Sequence, residues 1–209
     1  VLGDLERDVL PELMARHPAL SYSLEGKQRW QRESLEALRR GLTLALIVIY
    51  AMLAVAFGSY IQPIVVMAAI PFGLVGATLG HLIMGYDLSL MSMMGMVALS
   101  GVVVNDSLVL IHATNENRQK GLSALESITA GGTRRFRPIL LTSLTTFCGL
   151  APMIFETSVQ AQFLIPMAIS LGFGILFVTF IALLLVPCLY LIVEDAKRLL
   201  GFGLGREGS

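Results

Sequence analysis

From Gly41 to Tyr86 the chain carries no Asp, Glu, Lys or Arg, and a second uncharged run covers residues 157–193. Stretches of this length leave no charged face to show to water, so a soluble globule is excluded and a set of bilayer-spanning segments remains. The composition agrees. Hydrophobic residues make up 55% and charged residues 14%, and the mean hydropathy is +0.75, whereas soluble domains carry about 45–50% apolar and about 25% charged residues. Disorder is excluded by the same figures. The 15 basic and 15 acidic residues cancel, which argues against nucleic acid as a partner. Fourteen of these thirty charges lie in residues 1–40. The chain therefore reads as a membrane protein with a short polar front end.

In that front end, Leu5, Val9, Leu13 and Met14 lie near one helical face, closed by Pro18. Leu20, Tyr22 and Leu24 then alternate with Ser21 and Ser23, as in a strand ending at Gly26. From Gln28 the pattern returns to helix and runs without a breaker into the first apolar stretch, so residues 29–57 form one helix leading into the first span. The second span is 61–85, with Pro63 and Pro71 inside it, and the third is 88–113. The fourth is 138–155 and the fifth 163–193, containing Pro166 and Pro187. Each is long enough to cross the hydrocarbon core, and prolines are tolerated where neighbouring helices satisfy the freed carbonyls. Residues 114–137 are expected as a loop. It holds a short surface helix, capped by Ser123 and Glu126 and ended by Gly131 and Gly132. Residues 194–209 are a tail. Because the chain starts at Val1, it is expected to be the C-terminal part of something longer.

The 114–137 loop holds Arg118, Lys120, Arg134, Arg135 and Arg137, and the tail adds Lys197, Arg198 and Arg206. Connections 86–87 and 156–162 contain no basic residue. Loop and tail are therefore expected in the cytoplasm, and five spans put the N-terminal piece outside. Arg39 and Arg40 pull against this assignment.

Asp106 is the only charged residue between Leu88 and Asn115. Placing an ionised carboxylate inside a span costs at least about 2.5–3.5 kcal/mol on insertion scales, so such residues face a bundle interior and generally serve a function. Burial and a neighbouring cation act on a carboxylate in opposite senses, and one held between them exchanges protons near neutral pH. A neutral Asp in a packing role is the alternative. Asn105 and Ser107 point about 100° to either side of it, and Asn105 serves a packing role as readily as a functional one. Thr142, Thr145 and Thr146 share a face of the fourth span; spacing alone favours hydroxyls bonded back to their own helix. Arg134, Arg135 and Arg137 read as snorkelling anchors, and His81 and His112 as packing residues. Gly73, Gly76 and Gly80 have the spacing of a close helix contact. Cys148 and Cys188 sit in apolar runs as plain thiols. No nucleophile motif, phosphate loop or metal-ligand pattern is present, so no enzyme activity, cofactor or metal is expected.

The order of these features resembles one family. Tyr22-Ser23-Leu24-Glu25-Gly26 leads into a Gln/Arg/Glu-rich helix and a span ending Phe57-Gly58-Ser59-Tyr60. Pro63 and Ile70-Pro71-Phe72-Gly73 follow, then the run from Gly101 through Asn105 and Asp106 to Ser107, then Arg134-Arg135-Phe136-Arg137-Pro138 through to Ser143. Along essentially its whole length the chain is similar to the C-terminal part of resistance–nodulation–division (RND) pumps, proton-driven exporters of the bacterial inner membrane.

The resemblance implies spans eight to twelve of a twelve-span, two-half transporter. The implied fold is an all-α polytopic membrane protein with five transmembrane helices. A short periplasmic helix–strand segment, residues 1–28, precedes them as the edge of a porter domain. It further implies a periplasmic N-terminal piece, a cytoplasmic C-terminus, and the proton gradient as energy source with no cofactor. Implied partners are the N-terminal half of the same transporter, further copies in a homotrimer, and a periplasmic adaptor with an outer-membrane channel. In the family, acids of span four face polar and basic residues of spans ten and eleven. The span-ten site falls on Asn105 and Asp106, with Asn105 where multidrug pumps usually have a lysine. Thr142 matches the relay threonine and Arg135 the arginine at the cytoplasmic end of span eleven. The expected activity is proton-coupled export of drugs or other amphiphiles. The alternatives are a metal-ion or lipid exporter, or a truncated fragment or assembly module without transport.

Overall fold

The computed structural model describes residues 27–158 and 160–199. The helix and strand expected over residues 4–26 lie outside them. Among the described residues there is no strand: the structure is helical, with five helical segments long and apolar enough to cross a membrane. These are α1 (Lys27–Phe57), a broken second segment made of α2 (Gln62–Met67) and α3 (Ile70–Met84), α4 (Leu90–Gln119), α5 (Ala124–Ile154) and α6 (Ile165–Leu199). A 3-10 turn, Ala161–Phe163, precedes α6.

The breaks follow local chemistry. Pro63 and Pro71 each stand in the first turn of their helix, where a missing N–H costs nothing. The second segment is therefore divided at residues 68–69. Gly85 closes α3 in the left-handed conformation, φ 69°. Ser89 and Ser92 form a reciprocal cap at the start of α4, and Ser123 and Glu126 do the same for α5.

Two expected boundaries are corrected. The surface helix does not stop at Gly131 and Gly132, and residues 124–137 do not form a segment separate from the fourth span. One helix runs through both glycines and Pro138. Gly131 is there for closeness: a Cβ on it would stand 3.0 Å from Thr114 Oγ1 of α4. At Pro138 the lost N–H removes one helical bond without ending the helix. The third and fifth helices also run past their expected ends, to Gln119 and Leu199, because polar residues continue a helix once it leaves an apolar layer.

α6 is the centre, with α3, α4 and α5 all packed on it. Its Ile175, Val178 and Val186 are buried with Leu99, Val103, Leu110 and Ile111 of α4 and Val65 and Val66 of α2. A second cluster joins Ile154 of α5 to Ile165, Ala168 and Ile169 of α6, beside an edge-on pair of Phe147 and Phe173 with centroids 5.6 Å apart. The glycines of α3 permit close approach as their spacing predicts: a Cβ on Gly76 or Gly80 would collide with Phe177 or Phe173 of α6. Only 6% of the apolar window of α1 is buried; of that helix, Leu53 reaches the core. Cys148 and Cys188 are free thiols on outward surfaces.

Polar bonds fix the helix ends. Gln62 and Asn115 exchange amide hydrogen bonds of 3.2 and 2.8 Å between α2 and α4. Arg118 of α4 meets Glu194 of α6 at 3.0 Å. At the opposite ends, buried His81 bonds the Ala77 carbonyl through Nδ1 (3.0 Å) and Ser92 Oγ through Nε2 (2.7 Å). A carbonyl only accepts, so Nδ1 carries hydrogen, and in the neutral ring Nε2 accepts from the serine hydroxyl.

Candidate functional site

Val103, Asp106, Ser107 and Leu110 recur at helical spacing and share one face of α4. That face meets Ile139 of α5 and Val178, Thr179, Ala182, Leu183 and Val186 of α6 around a crevice with about 10 Å³ of free space. This is close to the minimum that holds one water, on the order of 10–15 Å³. It is far below the roughly 300 Å³ or more of a small-molecule pocket. The crevice is therefore at the lower limit for a single water and too small for an organic molecule.

Within it, Asp106 is half-buried and Ser107 is 2% exposed. The Ser107 Oγ has no hydrogen-bond partner. Thr179 Oγ1 lies 2.6 Å from Ser143 Oγ of α5. Each of these two hydroxyls also approaches the carbonyl one turn back, Ser143 that of Ile139 at 3.0 Å and Thr179 that of Ile175 at 2.6 Å. The junction of α4, α5 and α6 thus gathers a carboxyl and three hydroxyls inside an otherwise apolar core.

The other residues singled out from the sequence lie elsewhere. Asn105 is exposed beside the crevice face. Thr142 stands on the exposed face of α5, one residue from inward-facing Ser143, and donates to the Pro138 carbonyl at 2.9 Å. Thr145 and Thr146 likewise bond back within α5. Arg135 is half-buried and its Nε lacks a partner. Among the described residues, no hydrogen bond or ion pair joins Asp106 to Asn105, Thr142 or Arg135. Sequence reasoning missed Ser143 and Thr179. Spacing could not tell which of Thr142 and Ser143 turns inward, and Thr179 has no other hydroxyl at helical spacing within its uncharged run.

Five helical segments long and apolar enough to cross a membrane, with Asp106 on the inner face of α4, define a polytopic membrane protein. The AcrB/AcrD/AcrF family profile matches residues 10–194. The chain belongs to this family of RND efflux transporters, which are transporters and not enzymes. Among curated relatives, the swarming motility protein SwrC of Bacillus subtilis (strain 168) is 30% identical over 172 residues, 79% of this chain and 16% of that protein. Among solved structures, a heavy metal efflux pump is similar in two crystal forms, at 25% identity in each. Form I gives a TM-score of 0.72 over 92% of this chain and 19% of that one. Form II gives 0.74 over 89% and 19%. The chain therefore spans about a fifth or less of the length of these relatives.

Proposed function

We propose that this chain is the C-terminal membrane part of a proton-motive-force-driven RND exporter, and that Asp106 takes up and releases the coupling proton. The observation that carries this reading is the placement of Asp106. It is the only charged residue within the membrane-crossing stretch of α4, and it lines a water-sized crevice where three helices meet. A carboxylate in such a place is costly unless it is used. With no cation bonded to it among the described residues, Asp106 carries the proton itself.

Asn105 and Thr142, both exposed, are available to the acids of the N-terminal half, and Arg135 supplies a fixed positive charge. The complete protein works as a homotrimer in the bacterial inner membrane, with residues 1–28 in the periplasm and the tail in the cytoplasm. It joins a periplasmic adaptor and an outer-membrane channel, and the proton gradient is its energy source. Its cargo is drugs or other amphiphiles. A second reading, export of metal ions, is favoured by the similarity to a heavy metal efflux pump.

In the full-length transporter, Asp106→Asn is expected to abolish export at unchanged membrane abundance, measured in energised vesicles with an amphiphilic dye and, separately, with a divalent metal ion. Export at the wild-type rate overturns the role given to Asp106, and the cargo that moves in the unmodified vesicles decides between the two readings.

A further inference from the structure

Hydroxyls within the helices of this protein are mostly spoken for. Thr114, Thr129, Thr133, Thr142, Thr145 and Thr146 each donate to a carbonyl one turn back, as hydroxyls in membrane helices commonly do, and Ser143 and Thr179 each lie within reach of such a carbonyl and of each other. Ser107 does neither. It is 2% exposed, its Oγ has no partner, and it lines the crevice beside Asp106. The other buried hydroxyl without a partner among the described residues, Ser170, lies against Gly95 instead. A buried polar atom left unpaired costs its full desolvation, so an unpaired native hydroxyl facing a gap calls for a partner in that gap.

The hydroxyl pair next to it is short of hydrogens. Ser143 and Thr179 make three close approaches between themselves and two carbonyls, yet they own only two O–H hydrogens. If both donated to carbonyls, two oxygens 2.6 Å apart would face each other with no hydrogen between them. The contact best left without a hydrogen is the longest, Ser143 to the Ile139 carbonyl at 3.0 Å, so Ser143 donates to Thr179 and Thr179 donates to the Ile175 carbonyl. Thr179 then keeps one lone pair free to accept from the crevice.

We infer that the crevice between α4, α5 and α6 holds one water, positioned by Ser107 and Thr179, and that this water is the immediate proton donor and acceptor of Asp106. The inference rests on the coupling role given to Asp106 above. The water accepts from the Ser107 hydroxyl and donates one hydrogen to Thr179 Oγ1 and the other to the Asp106 carboxylate. Three bonds fall within the two to four that a buried water requires. A proton arriving on the water oxygen passes one of the water's own hydrogens to a carboxylate oxygen, leaving neutral water and a neutral carboxyl. Release runs in reverse, so nothing is consumed. Ser107 and Thr179 act as positioning residues.

The test uses the full-length transporter. A cryo-EM map that resolves ordered water is expected to show one density within hydrogen-bond distance of Ser107 Oγ and Thr179 Oγ1. Ser107→Ala and Thr179→Val should each slow proton-coupled export about tenfold, the order of effect of one lost hydrogen bond. Both should enlarge the slowing seen in D₂O, which a purely structural defect would leave alone. Thr179→Ser keeps the hydroxyl and should restore the rate. Absence of the density, or variants exporting at the wild-type rate with an unchanged isotope effect, overturns the inference. If Asp106→Asn is inactive while those variants are normal, only the water role falls; normal export by Asp106→Asn overturns both readings.

Discussion

Replacing Gly95 by alanine probes the contact between α4 and α6 where neither side can yield. A Cβ at position 95 would stand 2.6 Å from the Met167 carbonyl oxygen, 2.9 Å from Ser170 Cβ and 3.2 Å from Met167 Cα. Ordinary contact begins at 3.4 Å, so the closest approach is short by about 0.8 Å, on the steep wall of the van der Waals potential. Two of the three atoms are backbone, and no rotamer change moves them. Relief requires α6 to back away from α4, which loosens Leu99 against Gly174 one turn further along. Overpacking of this kind costs about 1–3 kcal/mol. Gly101, on the same helix, has nothing within 4 Å of its added Cβ. There alanine is neutral or stabilises by up to about 1 kcal/mol through helix propensity. Thermal unfolding of the full-length transporter in detergent, followed by fluorescence, should give a midpoint about one degree lower for Gly95→Ala, the shift that about 1–3 kcal/mol produces in a protein of this size, and unchanged or higher for Gly101→Ala. Gly73→Ala meets only the ends of Leu99 and Val103 side chains, at 3.3 and 3.4 Å, and should fall between them. Equal midpoints for Gly95→Ala and Gly101→Ala would refute a contact limited by backbone.

Two further outcomes are expected beside those given for Asp106, Ser107 and Thr179. Arg118→Ala removes both the 3.0 Å pair with Glu194 and a 3.2 Å bond to the Leu122 carbonyl; with both side chains partly in solvent, a double-mutant cycle with Glu194→Gln should give a coupling of about 1 kcal/mol or less. In a full-length protein with Cys148 and Cys188 replaced by serine, Lys120→Cys and Asp87→Cys occupy exposed connections at opposite ends of α4. A membrane-impermeant maleimide should label Lys120→Cys from the cytoplasmic side only and Asp87→Cys from the other side only, and labelling of both from one side would refute the proposed orientation.

Much of the helical layout was written in the placement of charge. The uncharged runs mark where helices must lie, because lipid offers unpaired backbone groups nothing to bond. The Ser123–Glu126 cap and the glycine row of α3 were legible too, since each depends on residues only three or four apart. Continuity across Gly131, Gly132 and Pro138 was not. Those residues are stop signals where a helix end is free to turn into water, and here Gly131 is required by Thr114 of another helix, a contact between residues distant in sequence. The inward turn of Ser143 rather than Thr142 was hidden for the same reason: two adjacent hydroxyls look alike until α6 brings Thr179 against one of them. Asp106 stood out because its charge is isolated, whereas Ser107 drew attention only once its hydroxyl was seen to lack the carbonyl its neighbours use.

The two ends of α4 are built differently, and the difference bears on where a charge can be held. Toward its start, Gly95 meets the backbone of α6, and Leu99 fills the space that Gly73 and Gly174 leave; there is no slack between these helices, and Ser170 beside Gly95 has no hydrogen-bond partner. Two turns further on, around Asp106 and Ser107, α4, α5 and α6 leave about 10 Å³ of free space between them. Packing defects in cores ordinarily destabilise, and the proposed water would offset the cost of a gap lined by a carboxyl and a hydroxyl without a protein partner. In the proposed mechanism the tight half fixes α4 on α6, and the loose half supplies the carboxylate with solvation that the apolar core would otherwise deny it; a gap without Asp106 would be a plain cavity.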